Sequence, residues 1–268
     1  MERPVAADGA GSLVVLCYHA ISEEWQAPIA VTPRALERQL SRLLAAGYAP
    51  ATFSQAVFEP PTGKTLAVTF DDAYRSVIKH AFPVMSRLGI PGTVFAPTSF
   101  IGSDRPMSWE GISHWAEGPH GQELVPMSWP ELGRLAEAGW EVGSHTHTHP
   151  RLPGLPAAER EAELQGSRRE CEKRIGTPCT SLAYPYGEYD RGTMEAARDA
   201  GYHAACALAR YVQRPEPMAW PRVGVYRDDD DVRFRIKVSP LLRRLRASRI
   251  WHARVSFREA RHRSTGGS

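Results

Sequence analysis

No stretch of this 268-residue chain approaches the roughly 18 consecutive apolar residues that a bilayer span requires. The segment Met1 to Ser12 has neither a basic cluster nor a long apolar run, which argues against export by a standard signal peptide. Cysteine is scarce: Cys17, Cys171, Cys179 and Cys206 show no metal-type pair spacing and read as small buried hydrophobes in a reducing compartment. Internal repeats are missing, and the acid run Asp228 to Asp231 lacks the alternating spacing and glycine of a calcium-binding loop. A strong excess of one charge is missing too: the net is only +3, and with no recognised motif nucleic acid is not an expected partner. What remains, with 42% hydrophobic and 24% charged residues, is the composition of a soluble globular protein, placed in the cytoplasm.

The small net charge conceals an uneven distribution. From Arg233 onward the chain holds 11 Lys/Arg and one acid, Glu259, a net of +10, which leaves −7 for residues 1–232. We therefore expect one α/β domain over 13–232 and a basic C-terminal extension over 233–268. Within the extension Leu241, Leu242, Leu245, Ile250 and Trp251 alternate with arginines. Such a segment suits peripheral contact with an anionic inner membrane face, or else docks on the domain as a partly solvated end.

Five segments repeat one design, a helix-period apolar pattern closed by Gly47, Gly89, Gly139, Gly176 or Gly201 and followed by a short β-type run. Thr32-Pro33 and Ser128 with Glu131 mark two helix starts. The β-type runs are Leu13 to Tyr18, Leu66 to Phe70, Gly92 to Ala96, Trp140 to Ser144, Ser181 to Tyr184, Tyr202 to Ala207 and Arg222 to Tyr226. Several are almost continuously apolar, as strands covered on both faces are. The alternation predicts parallel β/α units, closed as a barrel or opened as a wound sheet, with ligands at the C-terminal strand ends. Between Pro97 and Ser128 lies a loop far longer than the usual connection.

Three polar clusters fall at those strand ends: Thr69-Phe70-Asp71-Asp72, His145-Thr146-His147-Thr148-His149 and Tyr184-Pro185-Tyr186-Gly187. Adjacent carboxylates repel in a shared pocket unless a divalent cation neutralises one. His145 and His149 share a face whether their segment is helical or extended, whereas His147 joins them only if it is extended. Pro150 leaves the extended form open. Two imidazoles and a carboxylate form a common ligand set for zinc or another borderline transition ion.

These residues resemble the polysaccharide deacetylases of carbohydrate esterase family 4, over Leu13 to about Tyr226. Thr69 to Asp72 stand as the TFDD motif and His145 to His149 as the HxxxH motif, while Cys17-Tyr18-His19 and Ala183 to Gly187 look most like members of the glycan-biosynthesis branch. The resemblance implies a deformed (β/α)7 barrel that deacetylates N-acetylhexosamine units of a glycan. It implies a divalent metal, zinc by default with Co2+ or Ni2+ as alternatives, held by Asp72, His145 and His149. Asp71 would be the catalytic base, and the backbone N–H of Tyr186 would face the oxyanion. Rival readings are O-deacetylation, other amide hydrolysis, or a glycan-binding barrel without turnover.

Two departures accompany the resemblance. Ala183 stands where commoner members carry an arginine that orients the catalytic aspartate, and Arg222 is the expected replacement from across the rim. The late Leu-x-His motif that supplies a general acid has no clean copy; His252, in Ile250-Trp251-His252, and His19 are the candidates. His19, Pro185, Tyr186 and Trp129 are expected to touch substrate, and Trp109, Trp115 and Trp129 either stack on sugar rings or pin the long loop.

Overall fold

The computed structural model describes residues 13–60, 63–208 and 215–240. Its strands are β1 (Leu13–Tyr18), β2 (Ala20–Ile21), β3 (Ala30–Val31), β4 (Tyr48–Ala51), β5 (Lys64–Phe70), β6 (Gly92–Ala96), β7 (Glu141–Ser144), β8 (Ser181–Ala183), β9 (Ala204–Leu208) and β10 (Trp220–Gly224). In the order β1, β5, β6, β7, β8, β9, β10 each strand pairs in parallel with the next, and β10 returns to β1, so that seven strands close the expected (β/α)7 barrel. The barrel is deformed where β7 meets the three-residue β8, a seam with the single register pair Ser144 and Leu182.

Every position of β1 and β6 is buried, as their continuous apolar runs predict. Along β1, Val14, Leu16 and Tyr18 pack outward with Leu36 and Leu40 of the helix Pro33–Ala45. The alternate residues Leu13 and Val15 join Phe95, Ala183, Ala204 and Cys206 in a separate cluster. The small side chains Ala183, Ala204 and Cys206 on neighbouring strands leave room for one long one, and Arg222 of β10, only 1% exposed, takes it.

One strand was not expected. β4 pairs with the first half of β5, from Tyr48 opposite Lys64 to Ala51 opposite Ala67, and β6 takes over that edge from Val68 onward. Its run Tyr-Ala-Pro-Ala carries Pro50, which a strand tolerates only where a neighbour is missing on its N–H side, and β4 indeed ends the sheet order. The expected helix starts are present: Thr32 accepts from the Ala35 N–H, and Ser128 and Glu131 form a reciprocal capping box.

The boundary expected between 232 and 233 falls inside the helix Asp231–Val238, whose Phe234 and Val238 are buried in the core cluster around β1. Residues 241–268, with Leu241 to Trp251 and His252, lie outside the described residues. Among those described, no helix is long and apolar enough to cross a membrane.

Candidate active site

The segments leaving β5, β7 and β8 meet at one rim. Among the described residues, the non-glycine positions with positive φ all lie on them: Asp72 (66°), Ala73 (50°), Thr146 (67°), His149 (62°) and Tyr186 (59°). A Cβ makes each of these conformations unfavourable, by about 1–3 kcal/mol, so the surrounding packing must enforce them.

That packing brings three donors together. Asp72 Oδ1 lies 3.5 Å from Nε2 of both His145 and His149, and the donor atoms of the trio all fall within 4.8 Å of one another. Donors about 2.1 Å from a tetrahedral ion stand about 3.4 Å apart, so the spacing suits a transition metal. The trio is buried, yet Asp72 Oδ1 has no hydrogen-bond partner among the described residues, an expensive situation that a cation relieves. Burial, and then the charge of Asp71, push the Asp72 carboxyl well above the ordinary carboxylate range when no cation is present. Burial lowers both histidines and keeps them neutral, the state in which imidazole ligates. His145 Nδ1 lies 2.7 Å from the Ala183 carbonyl; since a carbonyl only accepts, the proton sits on Nδ1 and leaves Nε2 available.

Asp71, beside the trio, has a different partner. Arg222 Nη1 donates to its Oδ1 at 2.6 Å and Nη2 to its Oδ2 at 2.7 Å, both side chains being almost wholly buried. Nη1 also donates to Thr69 Oγ1 at 3.1 Å, and the Thr69 hydroxyl in turn donates to the Leu16 carbonyl at 2.7 Å. Burial alone would raise the Asp71 carboxyl, but the guanidinium overrides it and holds the group well below the usual range. Arg222 thus stands where the missing arginine at position 183 left Asp71 without a partner. Cys17 Sγ adds a 3.4 Å contact to Asp71 Oδ2, a neighbour that sequence reasoning missed.

His147 does not join the trio. With Thr146 and His149 both left-handed the loop doubles back, so His145 and His149 are buried while His147 is exposed, its Nδ1 3.0 Å from Thr98 Oγ1. Glu163, on the helix Ala157–Ile175, holds this loop from outside: it accepts from the N–H groups of His147 and Thr148, each at 2.8 Å, and from the Thr148 hydroxyl at 2.5 Å. No motif marks Glu163 in the sequence.

A cavity of about 220 Å³ opens over the trio and Asp71, with His19, Tyr186 and Arg222 also on its wall and an apolar side from Ile29, Trp109, Ile112 and Leu208. His19, part-buried at the end of β1, is held by burial to a pKa of about 4. Two expected substrate contacts need correction. Trp129 is not a wall of this cavity; it opens the helix Trp129–Glu137, half-buried between core clusters, with the Arg174 guanidinium 5.9 Å from its ring. Pro185 is buried in the turn Pro185–Gly187, and Tyr186 and Gly187 face the cavity instead. Trp109 is the tryptophan at the site: it stacks on His149 with ring centroids 4.1 Å apart, while Trp115 packs edge-on against Trp25 and pins the long loop. Arg151 spans the rim, its guanidinium 4.0 Å from the Tyr186 ring centroid and paired with Glu188 at 2.6 Å and Glu110 at 3.3 Å.

Known proteins share this arrangement of chain. Residues 58–205, more than half of the sequence, match the family model for polysaccharide deacetylase. YxkH of Bacillus subtilis, named for the same family, is 26% identical over 195 residues, 71% of this chain and 62% of that one. The poly-beta-1,6-N-acetyl-D-glucosamine N-deacetylase of Staphylococcus epidermidis is 26% identical over 176 residues, 62% of this chain and 56% of its own. The chain therefore spans less than two thirds of the length of these curated relatives. Among solved structures, IcaB of Ammonifex degensii superposes with a TM-score of 0.66 at 25% identity, covering 88% of this chain and 97% of that one. With a closed barrel, an Asp-His-His trio at its rim and a family match across most of both, this chain belongs to the polysaccharide deacetylase family.

Proposed function

We propose that this chain is a divalent-metal-dependent hydrolase that removes acetyl groups from N-acetylhexosamine units of a glycan or glycoconjugate, releasing acetate and a free amine. The observation that carries the reading is the Asp71–Arg222 pair standing against the Asp72, His145 and His149 donors in one cavity. Separate carboxylates with opposite assignments, one kept anionic by a guanidinium and one whose Oδ1 toward the histidines has no protein donor, fit a base next to a metal ligand. The name of the staphylococcal relative supports N-acetylglucosamine as the sugar. Zinc is the proposed ion because neutral imidazoles and one carboxylate suit it, with Co2+ and Ni2+ as alternatives.

When bound, the ion supplies a Lewis acid that polarises a carbonyl and acidifies water. Asp71, its orientation set by Arg222, accepts the proton of the attacking water through a lone pair that Arg222 leaves unused. The Tyr186 N–H, in a left-handed turn whose side chain lines the cavity, is assigned to the developing oxyanion. Trp109, Ile112 and Leu208 offer an apolar wall suited to the acetyl methyl and the sugar's C–H face. Asp71 then returns the water's proton to the leaving amine, and His19, kept neutral by burial on the same cavity, is assigned contact with the substrate.

Metal analysis beside an acetate-release assay tests this reading. Asp71→Asn is expected to keep its metal and lose turnover, and His145→Ala to lose both. An active His145→Ala protein with full metal content would refute the assignment, and faster acetate release from O-acetyl than from N-acetyl sugars would redirect the substrate.

A further inference from the structure

The Tyr186 turn needs support from outside itself. Tyr186 at φ 59° and Gly187 at φ 71° are both left-handed, a conformation that the tyrosine's Cβ disfavours. One support is β9: a Cβ at Gly187 would lie 2.7 Å from Leu208, so the turn already sits hard against that strand. A second is Arg151, whose guanidinium lies 4.0 Å from the Tyr186 ring centroid and pairs at 2.6 Å with Glu188, the residue that follows the turn.

Arg151 can act as a brace because its backbone is fixed: His149 and Leu152 on either side of it are buried, while its own side chain reaches out over the rim. The same guanidinium touches the long loop through Glu110 at 3.3 Å, next to Trp109. Trp109, His149 and Tyr186 follow one another with ring centroids 4.1 and 4.8 Å apart, so Arg151 joins the two ends of a series that has a metal ligand in its middle. The two arms are unequal. Glu188 is 28% exposed and 2.6 Å away, whereas Glu110 is 77% exposed and 3.3 Å away, and a pair open to solvent contributes little. The hold on the Tyr186 turn therefore outweighs the hold on the loop.

We propose that Arg151 is a positioning residue for hydrolysis: it fixes the left-handed Tyr186 turn and, through it, the backbone N–H assigned to the oxyanion. The inference rests on the deacetylase reading above. Among the described residues Arg151 is not on the cavity wall, so it acts through Tyr186 rather than on substrate. A planar guanidinium stacked on a ring and gripped at its edge by a carboxylate fixes direction as well as distance, which the point charge of a lysine does not. Oxyanion contacts are made in the transition state, so a misplaced N–H slows turnover more than it weakens substrate binding.

The test is steady-state acetate release from an oligomer of N-acetylglucosamine by the metal-loaded wild type, Arg151→Gln and Arg151→Lys, beside a metal-competition titration of each. Arg151 is 42% exposed, so both variants should fold with melting temperatures close to wild type. Losing an oxyanion donor outright costs about 100- to 1,000-fold in kcat, and loosening one should cost Arg151→Gln about tenfold, with KM within about twofold. Arg151→Lys should recover part of that loss, and metal affinity should stay within about threefold of wild type in both. A wild-type kcat in Arg151→Gln overturns the proposal. So does a raised KM at unchanged kcat, which would make Arg151 a support of the Trp109 wall, and so does metal affinity that falls as far as kcat, which would place its effect on His149. Absence of acetate release from the metal-loaded wild type would instead sink the deacetylase reading, and the positioning role with it.

Discussion

Replacing Arg222 by methionine removes the buried guanidinium while keeping much of its bulk, and the structure sets what this should cost. The pair it breaks has contacts of 2.6 and 2.7 Å between side chains 0% and 5% exposed, so solvent cannot take over for the lost partner. Removing one member of a buried, hydrogen-bonded ion pair costs about 3–5 kcal/mol because the other charge is left uncompensated. In a domain of this size about 1 kcal/mol moves the melting temperature by about 2–4 °C, so Arg222→Met should melt about 6–20 °C below wild type. Asp71→Asn added to it removes the stranded charge and should recover part of the loss, a coupling of a few kcal/mol in a double-mutant cycle followed by thermal denaturation. The same variant should lose most acetate release even below its melting point, since Asp71 then lacks its orienting partner. A shift under about 2 °C, or strict additivity of the two changes, would show that Arg222 does not compensate Asp71. Full turnover in Arg222→Met, with Asp71→Asn inactive, would show that it does not orient the base.

Other outcomes follow from the same geometry. Stripping the ion with a chelator should lower the melting temperature, since ligand at about 1,000 times its Kd adds about 4 kcal/mol to the folded state; an unchanged melting curve after confirmed metal loss would count against the trio. Glu163→Gln should loosen the loop that carries both histidines and weaken metal affinity by about tenfold in a competition titration, with little change in melting temperature of the metal-free protein. Ser128→Ala should cost about 1 kcal/mol by removing the cap that accepts the Glu131 N–H. Burial opposes ionisation of Glu131, but the bonds from Ser128 outweigh it and lower the carboxyl below its ordinary value. Its contribution is therefore present above the usual glutamate range and is lost as pH falls through the lower folded value. Glu131→Gln should flatten that acid-side decline in stability and leave the neutral side unchanged in slope.

How much of this was legible depended on the kind of signal. β1 and β6 were readable because burial on both faces demands a continuous apolar run, and their bounds follow from composition alone. β4 was not, because four residues with a central proline carry no strand pattern; only the unpaired edge of β5 explains them. Arg222 was readable only through the family resemblance, which expects an arginine where Ala183 stands; the sequence itself does not show that Arg222 reaches Asp71. His147 could not be decided, because its exclusion depends on left-handed φ at Thr146 and His149, and nothing in either side chain announces that conformation. Choosing among Trp109, Trp115 and Trp129 failed for a related reason: three equivalent rings in one region are distinguished only by where the folded loop puts them.

The position of Arg222 also orders events in time. Asp72, His145 and His149 leave the ribosome well before residue 222, and β10 is the strand that returns to β1. A nascent chain could therefore assemble its metal donors while Asp71 still had no guanidinium to hold it. An arginine at position 183, on β8, would have offered that guanidinium two strands earlier. Placing it on β10 makes sealing of the barrel a precondition for the Asp71–Arg222 pair, so that chains ending before β10 would carry Asp72, His145 and His149 without it.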